Sequence, residues 1–274
     1  MARETAGRSC GGAHHDSVQI PRHPSRVLLA LVVALALTAP PLVAAGRPEP
    51  IVAAFAPLSG VVIALDPGHN GGNASHTAEI SKPVWIGNGY KPCNQVGSST
   101  LSGYPEHAFN FDVALRVKAS LEYFGARVYL TRTTDTGFGP CVDLRGKFGE
   151  KVGADLAVSI HGDGSSASHR GFFVMKPGLV VGYTDDIRAE SAVLASAMRS
   201  GLTDAGLTIA NYYATNGLVT RTNLGTLNWS DVPIVMVELG NMKNATDAGR
   251  MTTRQGRFQY ANGIVFGIRG YLGR

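Results

Sequence analysis

Three apolar runs in this chain each close on a residue able to hold or serve a metal. Val61-Val62-Ile63-Ala64-Leu65 leads into Asp66-Pro67-Gly68-His69. Leu156-Ala157-Val158-Ser159-Ile160 leads into His161-Gly162-Asp163. Ile234-Val235-Met236-Val237 leads into Glu238-Leu239-Gly240-Asn241. Continuous apolar runs of this length, with little polar alternation, are the pattern of parallel strands buried on both faces. Open α/β sheets place their chemistry outside the carboxyl ends of such strands. The runs therefore demand a layered fold and also say where its site is to be sought. A fourth segment, Tyr104-Pro105-Glu106-His107, opens a helical pattern instead of closing a strand.

Between these runs the periodicity changes. Phe109, Val113, Val117, Leu121 and Phe124 recur every three or four residues, which predicts a helix over 106–124 entered through Pro105 and ended at Gly125. A strand is expected over 126–131. A helix is expected over 143–152, weakened by Gly146 and Gly149, and a strand over 171–175. Helices over 187–205 and 254–272 complete the pattern. This alternation predicts an α/β fold: a single domain built on a twisted, mostly parallel sheet flanked by helices. Residues 70–103 break it. They are rich in Gly, Ser, Asn and Thr and read as one long loop directly after His69. A loop of that length in a compact domain is usually functional or mobile, and this one is placed to gate a site or to select a substrate.

The N-terminal region reads as an export signal. Residues 27–38 form an apolar run preceded by Arg22 and Arg26 and followed by Val43-Ala44-Ala45, a small-residue cleavage pattern. The run is shorter than the roughly 20 residues of a membrane span. The expected division is a signal peptide over 1–45, a Pro/Ala-rich linker over 46–59 and a catalytic domain over 60–274, located in the periplasm, cell wall or extracellular space with no membrane span after cleavage. Cleavage removes Arg3, Arg8, Arg22 and Arg26 together with Glu4 and Asp16, which takes the formal charge from +5 to +3. That is too little, and too unclustered, for a nucleic-acid footprint. Cys10 leaves with the leader. Cys93 and Cys141 remain as an even pair in an exported chain, for which a disulfide is the default.

Two His, one Glu and a second Glu are the parts of a hydrolytic zinc site: three ligands with one open position, and a carboxylate to move protons. Taken singly, each residue has a plainer reading. A strand-end His is more often a structural group, and Glu106 alone suits the first turn of a helix facing its dipole. Glu238 resists this, because a carboxylate closing a buried strand wants a cation nearby. Asp163 is a candidate to orient His161, Asp66 to shape the turn before His69, and His107, His76 and His169 are weaker candidates. No Gly-x-Ser-x-Gly elbow, phosphate loop or dinucleotide glycine pattern is present.

The four motifs resemble those of the zinc-dependent N-acetylmuramoyl-L-alanine amidases of the family 3 type, and among them the compact mycobacterial cell-wall members. Leu65–Gly71, Ser102–His107, Val158–Asp163 and Val235–Asn244 look like the family's first His, Glu, second His and catalytic Glu motifs, in order, over about Val61 to Leu272. The resemblance implies Zn2+ bound by His69, Glu106 and His161, with Glu238 as general base and acid. It implies hydrolysis of the amide between N-acetylmuramic acid and L-Ala of the peptidoglycan stem peptide, on peptidoglycan or a muramyl peptide. A monomer is expected. Two departures stand out: Gly162 where Ala is usual, expected to loosen local packing, and Gly149-Glu150-Lys151-Val152 where an Ala-Asn pair is usual. The competing readings are a non-catalytic wall-binding or regulatory protein on the same fold, and a zinc peptidase or deacetylase cutting a different amide.

Overall fold

A computed structural model of the chain describes residues 56–214 and 216–274. The expected signal peptide and most of the expected linker lie outside the described residues. The last linker positions do not: Leu58 is fully buried and its N–H donates to the Phe124 carbonyl, so the packed domain already includes them.

The elements follow in chain order as β1 (Val62–Pro67), a 3-10 turn (Gly71–Ser75), α1 (Thr77–Ile80), β2 (Pro83–Trp85) and β3 (Tyr90–Pro92). Next come α2 (Glu106–Tyr123), β4 (Arg127–Leu130), α3 (Val142–Gly146), α4 (Phe148–Lys151), β5 (Leu156–Asp163) and β6 (Phe173–Pro177). The chain ends with α5 (Arg188–Asp204), β7 (Leu218–Arg221), α6 (Gly225–Asn228), β8 (Ile234–Asn241), α7 (Ala245–Thr252) and α8 (Arg254–Leu272). Six strands form one sheet in the order β4-β1-β5-β8-β6-β7. β4, β1, β5 and β8 run parallel. β6 is antiparallel to β8, and β7 is parallel to β6. The single α/β domain with a mostly parallel sheet is thus as expected, and the reversal falls at β6.

The two faces of the sheet are covered unequally, and this makes room for a site. Ile63, Leu65, Val158, Ile160, Val235 and Val237 point to one face. There they pack on Phe109, Val113, Val117 and Leu121 of α2, on Leu194 and Met198 of α5, and on Tyr260 and Ile264 of α8. Each fully buried side chain of this kind contributes about 1.5–3 kcal/mol, so the three long helices anchor the domain from that side. α5 and α8 approach through glycine: a Cβ on Gly201 would lie 2.2 Å from the Gly267 nitrogen. The opposite face carries Val62, Ala64, Ala157, Met175 and Met236 and meets only short elements, among them Leu227 of α6 and Phe148 of α4.

Two expectations change. The single helix over 143–152 is broken at Lys147 into α3 and α4. Gly146 packs so closely against α6 that a Cβ would lie 2.7 Å from Trp229 Cβ and 2.9 Å from the Thr226 carbonyl, so the chain turns there to seat α6. The stretch 70–103 is not one featureless loop. It holds the 3-10 turn, α1 and the β2–β3 hairpin. A Cys93–Cys141 disulfide ties the end of this segment to the start of α3. With its halves 48 positions apart in the chain, chain-entropy reasoning gives it about 4 kcal/mol of stabilisation.

Candidate active site

β1 delivers the first group. It ends at Pro67, and Gly68 follows with no side chain because none fits: a Cβ there would lie 2.1 Å from Cε1 of His161. His69 then adopts φ 59, left-handed backbone that a non-glycine residue holds only under constraint. Two buried arginines supply the constraint. Arg145 donates to the carbonyls of Pro67 (2.9 Å), His69 (2.7 Å), Gly139 (2.9 Å) and Pro140 (3.0 Å) and to Asp66 Oδ1. Arg132 donates to Pro67 O (2.9 Å) and to His107 O (2.8 Å). Burial opposes charge on Asp66. Arg145 and the hydroxyls of Thr131 and Ser159 outweigh it and hold the carboxyl below its usual range. Asp66 shapes the turn, as expected, by gripping Arg145.

The other groups converge on the same point. His69 Nε2 lies 3.1 Å and His161 Nδ1 3.0 Å from Oε1 of Glu106, and one donor atom from each residue lies within 4.8 Å of the others. Glu106 is the first residue of α2 and is buried. It also accepts from the backbone N–H of Ser98 at 2.7 Å and of Gly162 at 3.2 Å. His69 Nδ1 faces the carbonyl of Gln95 at 2.9 Å. A carbonyl only accepts, so Nδ1 carries the proton, and neutral His69 turns its Nε2 lone pair toward Glu106. Two imidazole nitrogens and a carboxylate oxygen facing one another hold together only through shared protons or a cation. Burial works against the Glu106 charge, yet the two imidazoles keep it well below the usual carboxylate range. Burial also lowers His69, but Glu106 more than reverses this and raises it. In His161 burial wins, helped by the charge of His69, and lowers it. The donor set of the trio, two imidazole nitrogens and a carboxylate oxygen, suits a divalent cation.

Glu238 stands beside this cluster because of strand register. β5 and β8 both continue past their apolar runs, and His161 pairs directly with Glu238. His161 therefore lies inside β5, where the expectation had the strand ending at Ile160, and β8 runs on past Glu238, the expected strand end, to Asn241. Oε2 of Glu238 is buried with no hydrogen-bond partner among the described residues. Burial first, then the charges of Glu106 and Asp163, push its pKa well above the ordinary value. Asp163 does not orient His161: its Oδ2 accepts from the Tyr212 hydroxyl. His107 turns away to Asp135 at 2.8 Å, His76 stacks on Phe138 and His169 stacks on Tyr212, so none joins the cluster. Nor is Gly162 loosely packed. A methyl there would lie 3.3 Å from Phe109 and 3.4 Å from Met242 and Met251, which already fill the space.

A cleft of about 730 Å³ opens over these residues on the thinly covered face of the sheet. Gln95–Ser98 forms one wall, Asn223–Thr226 another, and Met175 and Met236 lie along the floor. Residues 63–270 match the family model described as N-acetylmuramoyl-L-alanine amidase. The chain belongs to the N-acetylmuramoyl-L-alanine amidase family. The N-acetylmuramoyl-L-alanine amidase Rv3717 of Mycobacterium tuberculosis is 41% identical over 237 residues, covering 84% of this chain and 95% of that protein. Among solved structures, the amidase Ami1 of Mycobacterium smegmatis is 39% identical with a TM-score of 0.74, covering 79% of this chain and 98% of its own. Ami1 of Mycobacterium abscessus is 41% identical with the same TM-score, covering 78% and 99%. All residues lining the cleft fall within the span that matches the family.

Reading from sequence missed Arg145, Arg132 and Gly68, whereas the Gln95–Ser98 wall falls in the 70–103 stretch expected beside the site. Only Gly68 carried a signal, as a glycine inside a metal-type motif. The arginines carried none, since arginine is ordinarily a surface residue.

Proposed function

We propose that this amidase is an exported zinc hydrolase that cleaves the amide between N-acetylmuramic acid and L-Ala of the stem peptide, with residues 60–274 as its catalytic domain and 1–45 as its signal peptide. In this reading His69, Glu106 and His161 hold zinc, and Glu238 carries the proton. The observation that supports it most is the partnerless, buried Oε2 of Glu238 next to three converging metal donors. Zinc held there supplies Lewis acidity toward a carbonyl and toward water.

The chain's own groups do the rest. Glu238 takes a proton as water adds to the carbonyl carbon and delivers it to the L-Ala nitrogen as the amide C–N bond breaks. Gln95 holds the His69 tautomer, and Ser98 and Gly162 keep Glu106 a carboxylate acceptor. The non-catalytic reading required a lost donor or a lost Glu238, and all four groups are present and adjacent.

The deciding experiment incubates the protein with a muramyl peptide and follows the products by mass spectrometry. Separated sugar and peptide, abolished by a chelator and restored by zinc, are expected. No release from muramyl peptide or intact wall would overturn the proposal, and restoration only by another metal would overturn its zinc component. A second expectation concerns Gly68→Ala. Its methyl would displace the His161 ring, so this variant should lose metal to a chelator at least ten- to a hundredfold more readily. Wild-type metal retention would show that His161 is not positioned through Gly68.

A further inference from the structure

We propose that Arg221 is a specificity-determining residue that binds a carboxylate of the stem peptide; this rests on the amidase reading above. Among the described residues, three Lys or Arg side chains line the cleft: Lys91, Arg145 and Arg221. Arg145 is committed to Asp66 and to four carbonyls. Lys91 sits exposed on the hairpin strand β3. Arg221, at the end of β7, is half-buried and has no carboxylate partner among the described residues.

The direct partners of Arg221 are neutral and position it, and its charge also reaches Glu238, where it opposes the raised pKa. Its Nε donates to Asn223 Oδ1 at 2.9 Å, and its Nη1 reaches Met175 Sδ at 3.7 Å and the Tyr213 hydroxyl at 3.4 Å. Nη2 has no partner among the described residues. A guanidinium held in place by neutral groups at the wall of a cleft is a pre-set fork for a carboxylate.

Strand geometry says how far along the substrate that carboxylate lies. Met175 pairs with Met236, two residues before Glu238. One strand spacing of about 4.8 Å and two residues of rise, about 6.6 Å, give a diagonal of about 8 Å between the Met175 and Glu238 backbones. An extended peptide crosses that distance in two to three residues. Arg221 itself pairs with Pro177 and reaches back to the Met175 sulfur, so on this distance the carboxylate belongs to the residues that soon follow L-Ala.

Two readouts test this. Stem dipeptides with their carboxylates free or all converted to carboxamides are titrated into the zinc-loaded protein, and the corresponding muramyl dipeptides are assayed for kcat and KM. The free acids should bind about tenfold more tightly, about 1.4 kcal/mol, with the difference in cleavage falling in KM. Arg221→Met should bring the acid-to-amide ratio close to one, and Arg221→Lys should keep part of it. If the wild-type protein shows no preference, or Arg221→Met keeps it, the proposal is overturned. A preference lost instead in Lys91→Ala would move the role to Lys91. A melting temperature lowered in Arg221→Met with the ratio unchanged would mean a purely structural contact with Met175 and Tyr213. Binding is read without turnover, so the two readings fail separately. Discrimination without cleavage would keep this proposal and overturn the amidase mechanism, and cleavage without discrimination would do the reverse.

Discussion

Glu238→Gln is expected to lower kcat on a muramyl peptide by about 10²- to 10⁴-fold while keeping both its zinc and its melting temperature. The amide fills the same space and removes only the ability to take up and return a proton. Zinc retention is expected because the three donors that face one another are His69, Glu106 and His161, and Glu238 is their neighbour through strand pairing. Stability should hold for a separate reason. In the wild type Oε2 of Glu238 is buried without a partner, a burden on the fold, and a neutral side chain carries a smaller desolvation penalty. Activity lost with stability kept is the signature of a group retained for chemistry. The measurements are metal content after dialysis, thermal denaturation, and steady-state turnover. A variant that lost its zinc would make Glu238 a ligand, and one that kept a tenth of its turnover would remove it from proton transfer.

The parts of this site that could be read in the sequence are those whose local pattern reports burial. β1, β5 and β8 were legible because both faces of each are covered, which leaves an unbroken apolar run. His69, His161 and Glu238 were then marked by position relative to those runs, and α2 by the spacing of Phe109, Val113, Val117 and Leu121. Contact between them was not legible. The pairing of His161 with Glu238 is a matter of register between strands some 75 residues apart, which strand periodicity does not fix. The hairpin β2–β3 was invisible because its residues are mostly exposed and carry no alternation. β7 is four residues long and only half-buried. α7 hides only Asp247 and Met251, although Asn244 caps it through the N–H groups of Thr246 and Asp247. The break between α3 and α4 depends on how closely α6 approaches Gly146, a tertiary fact. Arg145 and Arg132 were missed for a related reason. A long cation reads as surface unless its partner is known, and the partners of Arg145 lie as far away as Asp66.

Arg145→Leu should be the most damaging single change outside the donor cluster. The guanidinium is almost fully buried, and all its nitrogens donate, to Asp66 and to the carbonyls of Pro67, His69, Gly139 and Pro140. Leucine leaves four carbonyls without that donor and Asp66 charged and buried, with only the hydroxyls of Thr131 and Ser159. Breaking a buried pair in this way costs about 3–5 kcal/mol. For a domain of this size that lowers the melting temperature by roughly 10 °C. Zinc affinity should fall as well, because the carbonyl that fixes His69 in its left-handed backbone is released. The pH dependence gives the sharper test, made on metal-free protein as the difference between wild type and variant. In the wild type Asp66 is held below 3.8, so its stabilisation is present above that pH and is lost as pH falls through the folded value. In the variant burial without a cation raises the Asp66 pKa, and protonation there relieves a penalty. The stability gap between the two proteins should therefore narrow as the pH is lowered toward 3.8 and below. Asp66→Asn should recover part of the lost stability in the Arg145→Leu background, with coupling well beyond additivity, without returning the zinc affinity. A gap that widened in acid, or a double variant whose losses simply added, would mean that Arg145 steadies the turn through the carbonyls alone and that Asp66 is a bystander.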